Sequence, residues 1–110
     1  MMTDIKPYLQ RITNRFTNLD VQAALKGFTR AIQFSFTDTG ESWLIRVIDG
    51  QEAVLSRELF EQPDIRVTSS TEILAGIMDG KISATTAYLQ RKIQVRGAME
   101  DLIKMQKIMR

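Results

Sequence analysis

The 110-residue sequence contains no cysteine and no histidine. Without cysteine the chain can form neither a disulfide nor a thiolate nucleophile, and nothing in it points to an oxidising compartment. Without histidine it lacks the commonest general base, the commonest metal ligand and every catalytic triad that depends on imidazole. We therefore expect a protein that is not an enzyme and that uses no metal and no cofactor.

The sequence also lacks a long apolar run at its start and a concentrated basic region. The first residues, MMTDIKPYLQR, carry charges at Asp4 and Lys6, which is unlike a signal peptide or a membrane span. A cytoplasmic location is therefore expected. The net charge is +2, with 15 basic residues interleaved among 13 acidic ones. Nucleic-acid binders usually concentrate lysine and arginine on one face, so no nucleic-acid partner is expected.

The hydrophobic pattern predicts one α+β domain over residues 1–110. Apolar residues from Ile5 to Leu19 follow the spacing of one helical face. From Phe28 the period changes to two and continues through turns at Asp38–Gly40 and Asp49–Gly50, which predicts three antiparallel strands. A fourth strand at 65–68, two short helices, a fifth strand at 93–95 and a closing helix over 98–109 complete the predicted order.

The closing helix has an apolar side with one amide near its middle. At about 100° per residue, the apolar arc contains Met99, Leu102, Ile103, Met105 and Met109, while Asp101 lies outside it. Gln106 projects between Met99 and Leu102. Two interpretations compete: a helix docked on the sheet with Gln106 reaching water, or one wall of a cavity in which flexible methionines adapt to an apolar ligand.

Residues 78–108 carry a series of features in a recognisable order. These are Gly80-Lys81, Ala87-Tyr88, the strand Lys92 to Val95, Gly97, and a helix with Met99, Leu102, Met105 and Gln106. Upstream features that fit the same pattern are Gly27, Ile32-Gln33-Phe34, Trp43 and Pro63-Asp64. By these features the sequence resembles the sterol carrier protein type 2 family over about residues 5 to 109.

The resemblance implies a five-stranded, mainly antiparallel sheet covered on one face by helices, with an apolar tunnel between the two. It also implies binding and transfer or presentation of a fatty acid, a fatty acyl-CoA, a sterol-like lipid or an isoprenoid lipid, without chemistry. In this family a glutamine matching Gln106 is a recurrent polar element of the tunnel. The residues expected to line the ligand site are Ile12, Phe16, Phe34, Ile77, Met78, Tyr88, Leu89, Met99, Leu102, Ile103, Met105, Gln106 and Met109.

Two departures from the family pattern are visible. Arg91 stands where the family commonly has glycine, so either Arg91 is strained, at about 1–2 kcal/mol, or the turn is rebuilt. Its charge would favour an acidic head group. The chain also ends without a peroxisomal signal of the Ser-Lys-Leu type, which favours a bacterial or archaeal cytoplasmic protein.

Two hypotheses about function follow from these patterns. The first is a lipid carrier that makes transient contact with a membrane surface. The second is an interaction or accessory module with a filled core, docking on a larger enzyme, for example in isoprenoid-quinone synthesis. The volume of the cavity separates the two, since ligand pockets measure about 300–1,000 Å³. The sequence predicts neither the cargo nor the oligomeric state.

Overall fold

The computed structural model describes residues 3–109, which form a five-stranded sheet with helices packed on one face. The helices within this range are α1 (Lys6–Asn14), α2 (Leu19–Ala24), α3 (Thr71–Met78), α4 (Ala84–Leu89) and α5 (Met99–Met105). The strands are β1 (Arg30–Phe36), β2 (Ser42–Ile48), β3 (Glu52–Ser56), β4 (Ile65–Ser69) and β5 (Ile93–Arg96).

The strand order is β3-β2-β1-β4-β5, which places β1 at the centre of the sheet. Strand β1 pairs with β4 in parallel, whereas the β1–β2, β2–β3 and β4–β5 pairs are antiparallel. The parallel pair requires the chain to cross from one edge of the sheet to the far side of β1, which the connection at 57–64 does. The prediction of a five-stranded, mainly antiparallel sheet is confirmed.

The core lies between the helices and one face of the sheet. Ile32, Phe34 and Phe36 alternate along β1 toward this face, as the period of two predicts, and all three are buried. The helical residues Leu9 and Ile12 are also fully buried in this cluster. Residues of α1, α3, α4 and α5 are buried against one face of the sheet and form one core cluster within residues 3–109, whereas α2 has no buried residue.

The first helix is shorter than its apolar spacing predicts. Helix α1 ends at Asn14 and is followed by a 3-10 turn at Arg15–Thr17. The Asn18 side chain then accepts hydrogen bonds from the backbone N–H groups of Asp20 and Val21, which starts α2 as a separate helix. The helical period that starts at Ile5 is interrupted at Asn18. Leu19, which that period predicts on the buried face, is therefore exposed.

The turn between α4 and β5 keeps the left-handed backbone conformation at Arg91. Its φ is 60°, so the first of the two alternatives for this residue is the one observed. The Arg91 N–H donates to the Tyr88 carbonyl, and the Lys92 N–H donates to the Ala87 carbonyl. These bonds close the end of α4 in the manner that usually places glycine at this position.

The connection at 57–64 covers the centre of the opposite face of the sheet, and Gln33 holds it in place. Gln33 is fully buried, and its Nε2 donates to the carbonyl oxygens of Trp43 at 2.9 Å and Glu58 at 3.0 Å. Its Oε1 accepts from the Phe60 N–H at 2.6 Å. One side chain therefore satisfies the backbone of a segment that has no strand neighbour of its own.

We expect Gln33→Leu to lower the free energy of unfolding by about 2–3 kcal/mol, because it leaves the Phe60 N–H and the Glu58 carbonyl without this partner. Urea unfolding measures this loss. Gln94→Leu is the matched control, because Gln94 is exposed on β5, and it should change stability by less than about 0.5 kcal/mol. An equal loss in both variants would show that the segment does not depend on Gln33.

Candidate functional site

A depression of about 310 Å³ lies where α1, the end of α3 and the segment after α5 meet. Its lining residues are Arg11, Asn14, Arg15, Met78 and Ile108. Met78 and Ile108 belong to the buried core and form the apolar part of the lining. The two arginines and Asn14 come from the polar side of α1 and the turn after it. The depression therefore joins a charged rim to the apolar core, and its volume is at the lower end of ligand pockets.

A cluster of three side chains ties α1 to the end of α3 beside this depression. The Tyr8 hydroxyl donates to Asp79 Oδ2 at 2.6 Å, and Arg11 Nη1 donates to Asp79 Oδ1 at 3.2 Å. Arg11 Nη2 also donates to the Met78 carbonyl at 3.2 Å. Hydrogen bonds from Tyr8 and then from Arg11 hold the pKa of Asp79 below its usual value. The same bond to Asp79 raises the pKa of Tyr8.

Arg15 places a second guanidinium at the rim. The side chain is partly buried, and its Nε has no hydrogen-bond acceptor among residues 3–109. The ion pairs found within that range use other arginines, at positions 11, 30, 46 and 57. Arg15 therefore carries a positive charge that no carboxylate of the described chain pairs with, next to the apolar residues Met78 and Ile108.

The rotation of α5 differs from the prediction. Asp101, expected on the polar side, is buried and accepts a bond from Arg30 Nε at 2.9 Å. Met99 and Ile103, expected on the buried side, are 71% and 56% exposed. The ion pair explains the difference, because a carboxylate that leaves water needs a cationic partner, and that partner is on β1.

The expectation that the Gln106 amide points into an apolar cavity is wrong. Helix α5 ends at Met105, and Gln106 caps it as an exposed residue. The following turn, in which the Ile108 N–H donates to the Met105 carbonyl, brings Ile108 into the core instead. The helical period, extended to residue 109, predicts Gln106 on the buried side. The helix ends at Met105, so the period does not apply to Gln106.

The thirteen residues predicted to line a ligand site fall into three groups in the structure. Those within the buried core are Ile12, Phe16, Phe34, Met78 and Met105. Those partly buried against it are Ile77, Leu102 and Met109. Those exposed to solvent are Tyr88, Leu89, Met99, Ile103 and Gln106. The structure thus gathers eight of them around one core and leaves five outside it.

Four residues of the depression were not among the predicted set. Arg11, Asn14 and Arg15 lie on a polar helical side, which normally indicates a solvated face, and their spacing carries no other signal. Ile108 follows the end of α5, so its burial depends on a turn that the helical pattern does not predict. Only Met78 is common to the prediction and the lining of the depression.

A larger depression, of about 960 Å³, lies between α1 and the β2–β3 side of the sheet. Its lining is mostly polar and includes Lys6, Gln10, Glu41 and Arg57, with Trp43 among the apolar members. A surface with charges of both signs suits water and polar groups better than a lipid chain, because burying those charges without partners is costly.

Residues 3–109 contain neither a cluster of potential metal ligands nor a helix suited to a bilayer. No three histidine, cysteine, aspartate or glutamate side chains within that range are grouped so that they could hold a metal ion. None of the helices formed there has the length and apolar character needed to cross a bilayer.

Comparison with known proteins gives one family and several similar folds. The model of the SCP-2 sterol transfer family matches residues 9–110. No curated protein matches the sequence. The solution structure of palmitated SCP2L2 from Aedes aegypti has a TM-score of 0.73 and 20% identity, covering 97% of this chain and 95% of that chain.

Two other solved structures come from different contexts. The UbiJ-SCP2 ubiquinone synthesis protein has a TM-score of 0.64 and 13% identity, covering 94% of this chain and 91% of that chain. The sec-alkylsulfatase Pisa1 from Pseudomonas sp. has a TM-score of 0.68 and 17% identity, covering 79% of this chain. The chain spans only 14% of the length of that sulfatase. At these identities the likeness is one of fold.

The Tyr8–Asp79–Arg11 cluster should make stability depend on pH at both extremes. Because the pKa of Asp79 is lowered on folding, its contribution is present above about pH 3.8 and is lost as the pH falls through the lower folded value. Because the pKa of Tyr8 is raised, its contribution is present below about pH 10 and is lost as the pH rises further. Thermal unfolding of Asp79→Asn should show a weaker acid dependence than the wild type, and Asp20→Asn, which removes an exposed aspartate elsewhere, should not.

Gln106→Leu tests the corrected position of this residue. Because Gln106 is exposed, we expect the free energy of unfolding to change by less than about 0.5 kcal/mol. Uptake of a fluorescent fatty acid should also be unchanged. A clear loss of uptake with unchanged stability would return Gln106 to the ligand site.

Proposed function

The chain belongs to the SCP-2 sterol transfer family, and from this membership we propose that it binds one apolar lipid between sheet and helices and transfers or presents it without catalysing a reaction. The observation that carries the proposal is the 310 Å³ depression, because its apolar lining is continuous with the core. A lipid chain entering there would meet core side chains as soon as it left the rim.

The methionines support the proposal. Met78 and Met105 are buried and Met109 is partly buried in the same cluster. Methionine has three rotatable bonds and no branch, so these side chains can repack around an inserted chain at lower cost than leucine or isoleucine. The residues proposed to contact the lipid are Ile12, Phe16, Phe34, Ile77, Met78, Leu102, Met105 and Met109, together with Arg11, Asn14, Arg15 and Ile108.

The rim favours a lipid with an acidic head group. Arg11 and Arg15 both line the depression, and guanidinium groups bind carboxylate and phosphate oxygens well. A fatty acid or a fatty acyl-CoA fits this chemistry better than a neutral sterol or isoprenoid. We further propose that the protein acts in the cytoplasm, consistent with a chain that contains no cysteine.

A second candidate function is that of an accessory module beside a larger enzyme. The similar fold within the sulfatase Pisa1, and that of the UbiJ-SCP2 ubiquinone synthesis protein, support this alternative. So does the packing, because Phe16, Phe28 and Phe34 are fully buried and fill much of the space beneath the helices. Under this alternative the core would remain filled and the protein would act through its surface.

Lipid uptake by the purified protein separates the two candidates. We expect native mass spectrometry to detect one bound lipid, and a fluorescent fatty acid to bind in a 1:1 ratio. Asn14→Trp should weaken that binding, because the exposed Asn14 lines the smaller depression as well as the edge of the larger one, and an indole there would occupy the smaller one. Gln10→Trp is the matched control, one turn earlier on α1, where it lines only the larger polar depression.

Each outcome has a definite meaning. A loss of binding in Asn14→Trp alone supports the smaller depression as the entrance. A loss in Gln10→Trp, alone or together with a loss in Asn14→Trp, would move the site to the larger depression, which both residues line, and would contradict the proposal. A wild-type protein that carries no lipid after purification and binds neither a fatty acid nor a prenyl lipid would favour the accessory module.

A further inference from the structure

The corner between α4 and β5 exposes two apolar side chains beside two cations. Tyr88 and Leu89, at the end of α4, are 57% and 73% exposed. Arg91 and Lys92 follow directly and are also exposed. None of the ion pairs found within residues 3–109 involves Arg91 or Lys92. The corner, defined as residues 88–92, therefore presents unpaired positive charge next to apolar surface.

Charge is distributed unevenly along the chain around this corner. Residues 80–99 contain four lysines and arginines and no aspartate or glutamate. Because the whole chain has a net charge of only +2, the rest of it is net negative. The weak overall charge thus conceals this basic stretch, in which the α4–β5 corner exposes Tyr88 and Leu89, and Met99 at its end is exposed as well.

The backbone at Arg91 adds a second observation. Its φ of 60° lies in the left-handed region, which glycine adopts without the strain that a Cβ introduces. An arginine at this position is therefore unfavourable for the turn itself. Because the turn gains nothing from an arginine at this position, its charge is better explained by contact with a partner outside the protein. The strain itself does not identify that partner.

We propose that the α4–β5 corner docks the protein on an anionic lipid bilayer. Tyr88 and Leu89 enter the interfacial region, and Arg91 and Lys92 contact lipid phosphates. Tyrosine suits this position because its ring is apolar and its hydroxyl is polar. Basic residues beside it are attracted to the negative surface potential of anionic lipids. This interaction surface goes beyond cargo binding and does not depend on what the core holds.

The observations favour a bilayer over an acidic protein partner. Two exposed apolar side chains at one corner offer little of the area that a stable protein interface needs. A bilayer requires no such matched surface, because short amphipathic segments bind through shallow insertion combined with charge. The attraction should weaken as salt is added, since exposed charges are screened.

The test is co-sedimentation of the full chain with vesicles. The wild type should bind vesicles of phosphatidylcholine with phosphatidylglycerol, bind pure phosphatidylcholine weakly, and dissociate as salt is raised. Arg91→Gly should weaken binding to the anionic vesicles about fivefold, from one lost cation near the surface. The same substitution removes the strain at φ 60° and should raise the melting temperature, so weaker binding cannot be attributed to unfolding.

Lys26→Gln is the matched control for charge. It removes one exposed cation just before β1, at the end of the sheet opposite the corner. The sheet pairing shows this separation, because Ile93 pairs with Ser69, which pairs with Phe36 at the far end of β1. Its binding should stay within about twofold of the wild type. Leu89→Ser should weaken binding to the same vesicles without changing the net charge.

Three results would overturn the proposal: no binding of the wild type to anionic vesicles, equal binding to neutral vesicles, or equal losses in Arg91→Gly and Lys26→Gln. An acidic protein partner would predict the first of these. Fatty-acid uptake by Arg91→Gly should be unchanged. A wild type that binds vesicles but takes up no lipid would contradict the cargo proposal and leave the docking surface supported.

Discussion

Burial of one face of β1 is the constraint on which the helical layer depends. Ile32, Phe34 and Phe36 need an apolar cover, and several separate parts of the chain supply it, among them α1 and α5. Helix α1 comes closest to the sheet at β3, whereas α5 is tied to the start of β1 by the Arg30–Asp101 ion pair. The two helices therefore cover the face from different sides. The smaller depression lies at the seam between them, where α1 and the segment after α5 meet.

The two faces of the sheet are covered by different physical means. On the helical face, apolar contacts dominate, and such contacts tolerate changes in side-chain rotamer without losing hydrogen bonds. On the other face, the buried amide of Gln33 holds an irregular segment through directional bonds. A segment held by directional hydrogen bonds has a defined position and does not rearrange easily. Any adaptation to a ligand is therefore expected on the helical side, where the methionines lie.

The sheet could be predicted from the sequence because its signals are local. Alternation along β1 and β2, and the Asp49-Gly50 turn with both residues at positive φ, depend only on neighbouring residues. The family pattern added the helical layer and the five-stranded, mainly antiparallel sheet. The candidate site was predicted less well, because its geometry depends on distant residues. Arg30 and Asp101 are 71 positions apart, yet their bond sets which side of α5 is buried.

The early end of α5, at Met105, is a second feature that the helical pattern does not predict. Seven residues of helix followed by a turn place Ile108 rather than Gln106 against the core. No residue in that segment is a strong helix terminator such as glycine or proline, so the sequence predicts continuation. The outward position of Tyr88 and Leu89 was missed for a related reason. A helix of six residues such as α4 is too short for its apolar pattern to define one face.

The mixed pairing of β1 has a consequence for how the conformational entropy of the sheet is distributed. Antiparallel pairing with β2 begins between Ser35 and Ser42, seven residues apart, whereas each parallel pair with β4 joins residues 33 apart. Closing the longer loop costs about 1.4 kcal/mol more in chain entropy. Pairing the β4–β5 half of the sheet with β1 therefore costs more chain entropy than forming the β1–β3 half. Contacts from the helices and from the connection bound by Gln33 must offset this entropy cost. The β4–β5 half therefore depends more on these covering segments for its stability than the β1–β3 half does.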